Sequence, residues 1–247
     1  MSNYEAYWAY NTFKAAEMIN GIKAALKPRT PKNTTFIRLG SEHDGGYVMS
    51  DDITKDDFLV SFGVEGNVDF EYDIAQYNCR INMYDYSVDG PPKEIPNSIF
   101  FKEKIGLESD GDTSLGYCLG KTAQDVILKV DIEGSEWSVL AMATEDELNR
   151  ARQITVEFHW LQNLENELFA NLAKKALDNL RKTHTPVLVH ANNDVPLMVM
   201  GATPLPMVIE VLYLRNSSYE FEEEKDLFKG LINSNNPNVP EIGLTFP

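Results

Sequence analysis

Acidic and imidazole side chains directly follow four short apolar stretches of the chain. They are Asp85 after RINMY, Asp131 after VILKV, Glu157 and His159 at the end of QITVEFH, and His190 after VLV. If these stretches are strands of one parallel sheet, their carboxyl ends meet at one edge, where ligands of open α/β sheets bind. The sequence therefore predicts that the five side chains converge on one cleft.

Three of these residues could form a catalytic group. Alternation along a strand puts Glu157 and His159 on one face, and Asp131 is expected on the neighbouring strand. Two carboxylates and one imidazole can hold Mg²⁺ or Mn²⁺, or can act as a base together with the partner that orients it. The structural alternative is a buried histidine hydrogen-bonded to its carboxylate.

A turn that contains glycine, Ser61–Asn67 (SFGVEGN), follows another apolar stretch. Glycine lets the backbone pass close to a ligand, which makes Gly63, Val64 and Glu65 candidate cofactor contacts. Asp85 could accept hydrogen bonds from both hydroxyls of a ribose, as an acid at this position does in dinucleotide-binding folds. A plain tight turn and a helix cap are the structural alternatives.

A pair of adjacent glycines follows Asp44 and permits positive backbone angles. The pair joins two extended stretches, Thr35–Leu39 and Tyr47–Ser50, which predicts a hairpin. We expect Asp44–Val48 to border the same pocket, with Gly46 in contact with the cofactor. A hairpin turn without a ligand is the alternative.

Short apolar stretches alternate with helix-compatible segments from Phe58 onward, which is typical of βαβ units and a mostly parallel sheet. The predicted strands are Phe58–Phe62, Arg80–Tyr84, Ser98–Phe101, Val126–Val130, Ile154–Phe158, Val187–Val189 and Val208–Leu214. The predicted helices between them are Phe70–Tyr77, Glu136–Ala143 and Glu165–Leu180. A first helix is predicted over residues 4–26, because apolar residues recur there at helical spacing and Pro28 ends it.

The composition limits what the chain can bind. Its 247 residues carry a formal net charge of -16, and no run of Lys or Arg is visible, which argues against nucleic acid as a partner. No stretch has the length of a membrane span, and the N-terminus lacks the layout of a signal peptide. With only two cysteines, Cys79 and Cys118, a cytoplasmic location is expected. The oligomeric state is left open.

Several blocks of sequence, in the same order, resemble the FkbM-type S-adenosylmethionine-dependent methyltransferases. They are Arg38–Met49 (RLGSEHDGGYVM), Ser61–Glu71 (SFGVEGNVDFE), Leu128–Trp137 (LKVDIEGSEW) and Gln153–Leu161 (QITVEFHWL). The resemblance extends from about Arg38 to Leu214. It implies an α/β, Rossmann-like class I methyltransferase fold with a mostly parallel seven-stranded sheet whose last strand is antiparallel.

The resemblance also implies where the parts of the enzyme lie. The methyltransferase domain would span residues 34–233, between an N-terminal helical extension (1–33) and an irregular tail (234–247). S-adenosylmethionine would contact Gly63, the turn after it and Asp85, with Asp131 at the methyl-transfer edge. The turn departs from the fuller Gly-x-Gly-x-Gly of many such enzymes, because two larger residues separate its glycines.

FkbM-like proteins largely methylate hydroxyl groups, so the resemblance implies an O-methyltransferase for a small molecule or a glycan. Aromatic residues near the strand ends could lie against a sugar ring, although alternation turns them away from their acidic neighbours. They are Tyr84, Tyr86, Phe158 and Trp160. A nucleotide-sugar or nicotinamide-dependent enzyme and a non-catalytic binding module are the alternative functions. The dehydrogenase version would prefer a Gly-x-Gly-x-x-Gly turn, which is missing.

Overall fold

The computed structural model describes residues 7–9, 12–200, 203–223, 225 and 227–247 of the chain. Its helices are α1 (Thr12–Leu26), α2 (Asp69–Ala75), α3 (Leu115–Leu119), α4 (Glu136–Met142), α5 (Glu145–Leu148) and α6 (Glu167–Thr183). Its strands are β1 (Tyr7–Ala9), β2 (Thr30–Pro31), β3 (Phe36–Gly40), β4 (Gly46–Ser50), β5 (Phe58–Phe62), β6 (Arg80–Tyr84), β7 (Ser98–Phe101), β8 (Val126–Val130), β9 (Ala151–Phe158), β10 (His184–Ala191), β11 (Leu197–Met200), β12 (Thr203–Pro206), β13 (Ile209–Arg215) and β14 (Phe221–Glu222).

Seven strands form the central sheet in the order β10-β13-β9-β8-β5-β6-β7. β13 is antiparallel to both of its neighbours, and the other neighbouring strands are parallel. This is the Rossmann-like methyltransferase fold that the sequence predicts, including the antiparallel last strand. The predicted bounds of β5 to β8 agree with the structure, whereas β9 and β10 are longer than predicted.

Alternating side chains of the sheet build a hydrophobic core on each face. Val60 and Phe62 of β5 pack into the core that contains residues of α1, α4 and α6. Leu59 and Ile81 pack into the opposite core, beneath α2 and the hairpin of β3 and β4. Because both faces of the central strands are buried, these strands are nearly continuous apolar runs and show little alternation of polar residues.

The register of the central strands brings their last residues to one level. Phe62 pairs with Tyr84 on one side and with Val130 on the other. Val130 in turn pairs with Val156 of β9. Gly63, Asp85 and Asp131 therefore leave the sheet side by side at its carboxyl edge, whereas β9 continues past this level and Glu157 still pairs with Glu210 of β13.

The N-terminal region differs from the prediction. The first helix begins at Thr12 and not at residue 4, and Tyr7–Ala9 form β1, which pairs with β11. Residues 1–6, 10 and 11 lie outside the described residues. Local apolar spacing cannot reveal a pairing with a strand so distant in sequence. Among the helices of the described ranges, none is long and apolar enough to cross a membrane.

Candidate active site

A cleft lies at the carboxyl edge of the sheet. Its cavity volume is about 620 Å³, within the range of about 300–1,000 Å³ that is usual for small-molecule sites. We call its two ends the β6 end (Val64, Glu65, Asp85, Tyr86, Ile105) and the β9 end (Asp44, Glu157, His159, Trp160, Asp194), and Gly63 and Asp131 lie between them in the sheet order.

Gly63 has no space for a side chain. Its φ is 77°, and a Cβ atom built there would lie 1.6 Å from the carbonyl oxygen of Asp131. The backbone of β5 can therefore turn under the cleft only with glycine at this position. Gly46, the other predicted glycine contact, does not itself line the cleft, although its neighbours Gly45 and Tyr47 do. Its Cβ position is filled by Ser41 and Arg38 of the hairpin turn.

Asp85 holds the turn after Gly63 in place. One carboxylate oxygen accepts the backbone N–H groups of Val64 and Glu65, both at 2.9 Å. The other oxygen accepts the backbone N–H of Ser87 at 2.7 Å and its hydroxyl at 2.6 Å. Burial opposes the charge, but these hydrogen bonds lower the pKa of Asp85. A carboxylate has about four acceptor positions, so a ribose contact, which stays a prediction, requires Asp85 to exchange one of these donors.

Lys129 links the turn to Asp131. It is only 4% exposed, and its ammonium donates to the carbonyl oxygen of Gly63 at 2.6 Å. It also lies 3.5 Å from the buried carboxylate of Glu71 and 3.8 Å from that of Asp131. Burial disfavours the ammonium, but these two carboxylates outweigh it and raise the pKa of Lys129. The hydroxyl of Tyr47 donates to Asp131 at 3.0 Å, so the acid is held from two sides.

Glu136 is a site residue that the sequence analysis missed. It is fully buried at the start of α4, and its carboxylate accepts the backbone N–H groups of Ile132 at 2.9 Å and Gly134 at 2.8 Å. The loop between them takes a left-handed conformation, with φ of 53° at Glu133 and 100° at Gly134. Glu136 also lies 3.0 Å from Nδ1 of His159. It therefore holds both the loop and the imidazole ring.

The contacts of His159 leave one ring nitrogen for the cleft. Nδ1 faces Glu136 and the carbonyl oxygen of Glu157, whereas Nε2 lies 3.6 Å from the carboxylate of Glu133. Burial alone would lower the pKa of His159, but Glu136, Glu157 and Asp131 raise it to about 9. At neutral pH the ring is therefore an imidazolium whose Nδ1 is committed to Glu136.

Glu157 lies in a different environment from His159, although both line the cleft. Asn192 donates to Glu157 at 2.9 Å, and the carboxylates of Asp44 and Glu210 are close. Burial and the neighbouring carboxylates raise the pKa of Glu157 well above its usual value. The strand ends at Phe158, so the alternation that was expected to pair Glu157 with His159 stops between them.

The predicted metal ligands do not form one group. In the described part of the chain, the sets whose ligand atoms all lie within 4.8 Å of one another are Asp131 with Glu133 and His159, and Asp44 with Glu157 and Glu210. Glu157 thus belongs to a different set from the other two predicted ligands. Nδ1 of His159 is occupied by Glu136, and the structure does not support the predicted magnesium or manganese site.

His190 does not converge on the cleft. It lies at the end of β10, beyond β13, where Nδ1 is 3.2 Å from Glu210 and Nε2 is 3.2 Å from Glu241. The prediction placed it in the cleft because it follows an apolar strand. The antiparallel β13 separates that strand from β9, so the two strand ends are not adjacent.

Trp160 lies in the cleft, contrary to the expectation from alternation. Its backbone leaves the strand with a left-handed φ of 65°, which turns the side chain over Gly134, and 46% of the residue remains exposed. Tyr86 also borders the cleft, at the β6 end. Phe158 packs instead on Trp137 in the core, with ring centroids 4.3 Å apart. Alternation failed for Trp160 because the strand had already ended.

The strand order and the cleft place the chain in the class of Rossmann-like methyltransferase folds. No protein-family model and no curated protein sequence matches the chain. A solved structure, that of the pyocyanin biosynthetic protein PhzM, is 14% identical over 66% of this chain and 51% of that chain, with a TM-score of 0.28. The chain thus spans about half of that protein, and a likeness this slight supports no conclusion about activity.

Proposed function

We propose that the protein is an S-adenosylmethionine-dependent O-methyltransferase of the FkbM type. The observation that carries the proposal is the turn after Gly63, which lines the cleft at the carboxyl edge of the sheet and whose backbone N–H groups Asp85 fixes from the neighbouring strand. A turn after one strand with an acid at the end of the next is where the adenosine part of a nucleotide cofactor binds in open α/β sheets. The cleft volume of about 620 Å³ also suits a cofactor with a small acceptor.

The cofactor would lie across Gly63, with its adenosine toward the β6 end. Its sulfonium group supplies the methyl group, so the protein has to orient the acceptor and remove a proton. Lys129 holds the carbonyl oxygen of Gly63 and the carboxylate of Asp131 near one another in the middle of the cleft. Asp131 can accept a hydrogen bond from the acceptor.

A hydroxyl group that takes up a methyl group must lose its proton. We assign the base to Nε2 of His159, since Nδ1 is held by Glu136. The neutral form of the ring would accept the proton from the hydroxyl oxygen as the new carbon–oxygen bond forms and the methyl–sulfur bond breaks, with the sulfur keeping the electron pair and leaving as the thioether of S-adenosylhomocysteine. Glu157, with its raised pKa, lies beside the acceptor and would hold its other hydroxyl groups.

The acceptor in this proposal is a saccharide. Trp160 offers an exposed ring at the β9 end, and carboxylate and amide groups surround it, including those of Glu157, Asp194 and Asn192. A flat apolar face beside several hydrogen-bonding groups suits a sugar ring. The net charge of -16 disfavours a polyanionic acceptor.

Calorimetry with S-adenosylhomocysteine tests the cofactor assignment. We expect the wild-type protein to bind it and Gly63→Ala to weaken the affinity by at least about tenfold, because a Cβ atom at this position would displace the carbonyl oxygen of Asp131 and with it the turn that lines the cleft. Gly66→Ala is the matched control, because a Cβ atom there meets nothing within 4 Å. Thermal unfolding of both variants separates a binding defect from loss of the fold. Wild-type protein that binds NAD or a nucleotide sugar instead would overturn the proposal.

The role of Trp160 is tested by acceptor kinetics. We expect Trp160→Ala to raise the KM for a glycan acceptor by about two- to tenfold, since an aromatic contact contributes about 0.5–1.5 kcal/mol beyond its buried area. Trp160→Phe should restore most of the loss. Tyr86→Ala, at the β6 end and 60% exposed, is the control. It should leave the acceptor KM unchanged. A Trp160→Ala variant with an unaltered KM would remove the ring from the acceptor site.

A further inference from the structure

Four consecutive residues of the irregular C-terminal segment, 233–236, bind the two loops that border the β9 end of the cleft. These loops are residues 42–44, before β4, and residues 192–194, after β10. Both loops supply residues to the cleft, namely Asp44, Asn192 and Asp194. The segment lies outside the sequence blocks that suggested the function, and the sequence predicted only an irregular surface tail.

Three successive residues of the tail bind the first loop, through either a side chain or a carbonyl group. They are Asn233 Nδ2 to the carbonyl oxygen of Glu42 at 2.9 Å, the carbonyl oxygen of Ser234 with Nδ1 of His43 at 3.0 Å, and Asn235 Nδ2 to the carboxylate of Asp44 at 3.2 Å. The amide of Asn235 also donates to Glu210 at 2.6 Å. Asn235 is 6% exposed, so it bridges two carboxylates in a buried position.

The second loop is held even more closely. The side-chain amide of Asn193 donates to the hydroxyl of Ser234 at 2.6 Å and to the carbonyl oxygens of Asn236 at 3.0 Å and Val239 at 2.8 Å. Its oxygen accepts the backbone N–H of Asn236 at 2.8 Å. The side chain of Asn236 donates to Asp194 at 2.6 Å. Asn193 is only 2% exposed, so the loop and the tail are connected through a buried side chain.

These contacts all act on one end of the cleft. Asp44 and Asp194 line the β9 end, and each accepts a hydrogen bond from the tail. Among the hydrogen bonds of the described residues, none joins residues 233–236 to the turn after Gly63 or to Asp85. The tail therefore binds the end of the cleft assigned to the acceptor and makes no direct hydrogen bond to the cofactor end, although Asn67 of the turn after Gly63 contacts the carbonyl oxygen of Asp44.

We infer that residues 233–236 form the supporting wall of the acceptor site and determine which acceptor fits, with Asn235 and Asn236 as positioning residues for Asp44 and Asp194. This inference rests on the proposed function, because it takes the β9 end as the acceptor site. The loop residues that the tail holds, Asp44, Asn192 and Asp194, present carboxylate and amide groups to the cleft, and these groups bind the hydroxyl groups of a saccharide and exclude apolar acceptors.

Hydrogen exchange tests the positioning role without any acceptor. We expect Asn235→Ala and Asn236→Ala to accelerate exchange in residues 41–46 and 191–195 by about tenfold, as expected when a hydrogen bond to a charged group is lost. Exchange in residues 84–87, around Asp85, and the affinity for S-adenosylhomocysteine should not change. The matched control is Asn238→Ala, an exposed residue of the same tail. Unchanged exchange in both loops would overturn the inference.

Methyl transfer from labelled S-adenosylmethionine to p-nitrophenyl glycosides of rhamnose, fucose and glucose tests specificity. We expect Asn235→Ala and Asn236→Ala to change the ratio of methylated products at least about threefold, with an unchanged KM for the cofactor. An unchanged product ratio would overturn the specificity role. A wild-type protein that binds S-adenosylhomocysteine but methylates none of these glycosides counts against the proposed saccharide acceptor, and hydrogen exchange then decides the role of the tail alone.

Discussion

Replacing Lys129 by methionine should destabilise the protein by about 3–5 kcal/mol, the usual cost of removing one partner of a buried ion pair. The reason is that the fully buried carboxylate of Glu71 would lose the ammonium 3.5 Å away and remain in the core without a charged partner. The carbonyl oxygen of Gly63 would lose its donor in the same variant. Urea unfolding measures the change, and affinity for S-adenosylhomocysteine should fall in parallel.

A surface lysine provides the matched control for that experiment. Lys174 pairs with Asp178 on the exposed side of α6, and Lys174→Met should cost no more than about 0.5 kcal/mol. The double variant Lys129→Met/Glu71→Leu should recover part of the stability, because it removes both buried charges together. If Lys129→Met proves no more damaging than Lys174→Met, the ion pair does not stabilise the fold.

The second large effect concerns His159 and pH. We expect kcat/KM to rise about tenfold per pH unit from pH 7 and to level off near the pKa of His159, about 9. The sign follows from the mechanism, since the neutral ring is the base and the imidazolium cannot accept a proton. His159→Gln should lower kcat by about 10²–10⁴-fold, the usual contribution of a general base, and should abolish the rise.

Two further variants show whether the rise belongs to His159. Glu136→Gln removes a carboxylate that raises the pKa of the ring, so the profile should level off at a lower pH. His190→Gln changes a histidine outside the cleft and should leave the midpoint near 9. A rise that survives in His159→Gln would assign the base to another group, with Asp131 and Glu157 as the candidates.

The sequence predicted the parts of the fold that depend on short-range patterns. Apolar runs gave the bounds of β5 to β8, and the polar residues that end them placed Asp85 and Asp131 at the correct edge of the sheet. Parallel strands in register end at the same level, so strand bounds alone were enough to bring these residues together.

What the sequence could not predict depends on long-range contacts. In the sequence, Lys129 is a single polar residue within an apolar strand, and its ion pair with Glu71 becomes visible only in the structure. Glu136 looks like an ordinary acid in the first turn of a helix, although its carboxylate binds backbone groups and an imidazole. The sequence did contain one indication for Glu136. It lies three residues after Glu133, within the block that resembles the methyltransferases. No feature of the sequence indicates the left-handed bend of the backbone at Trp160.

The position of residues 233–236 has a consequence for how the protein is made. A chain emerges from the ribosome from its N-terminus, and segments begin to fold as they emerge. β5, β6 and β8, which carry the Gly63 turn, Asp85 and Asp131, emerge long before the asparagines that hold residues 42–44 and 192–194. The strands of the cofactor end are therefore synthesised before the tail residues that hold the two loops of the acceptor end.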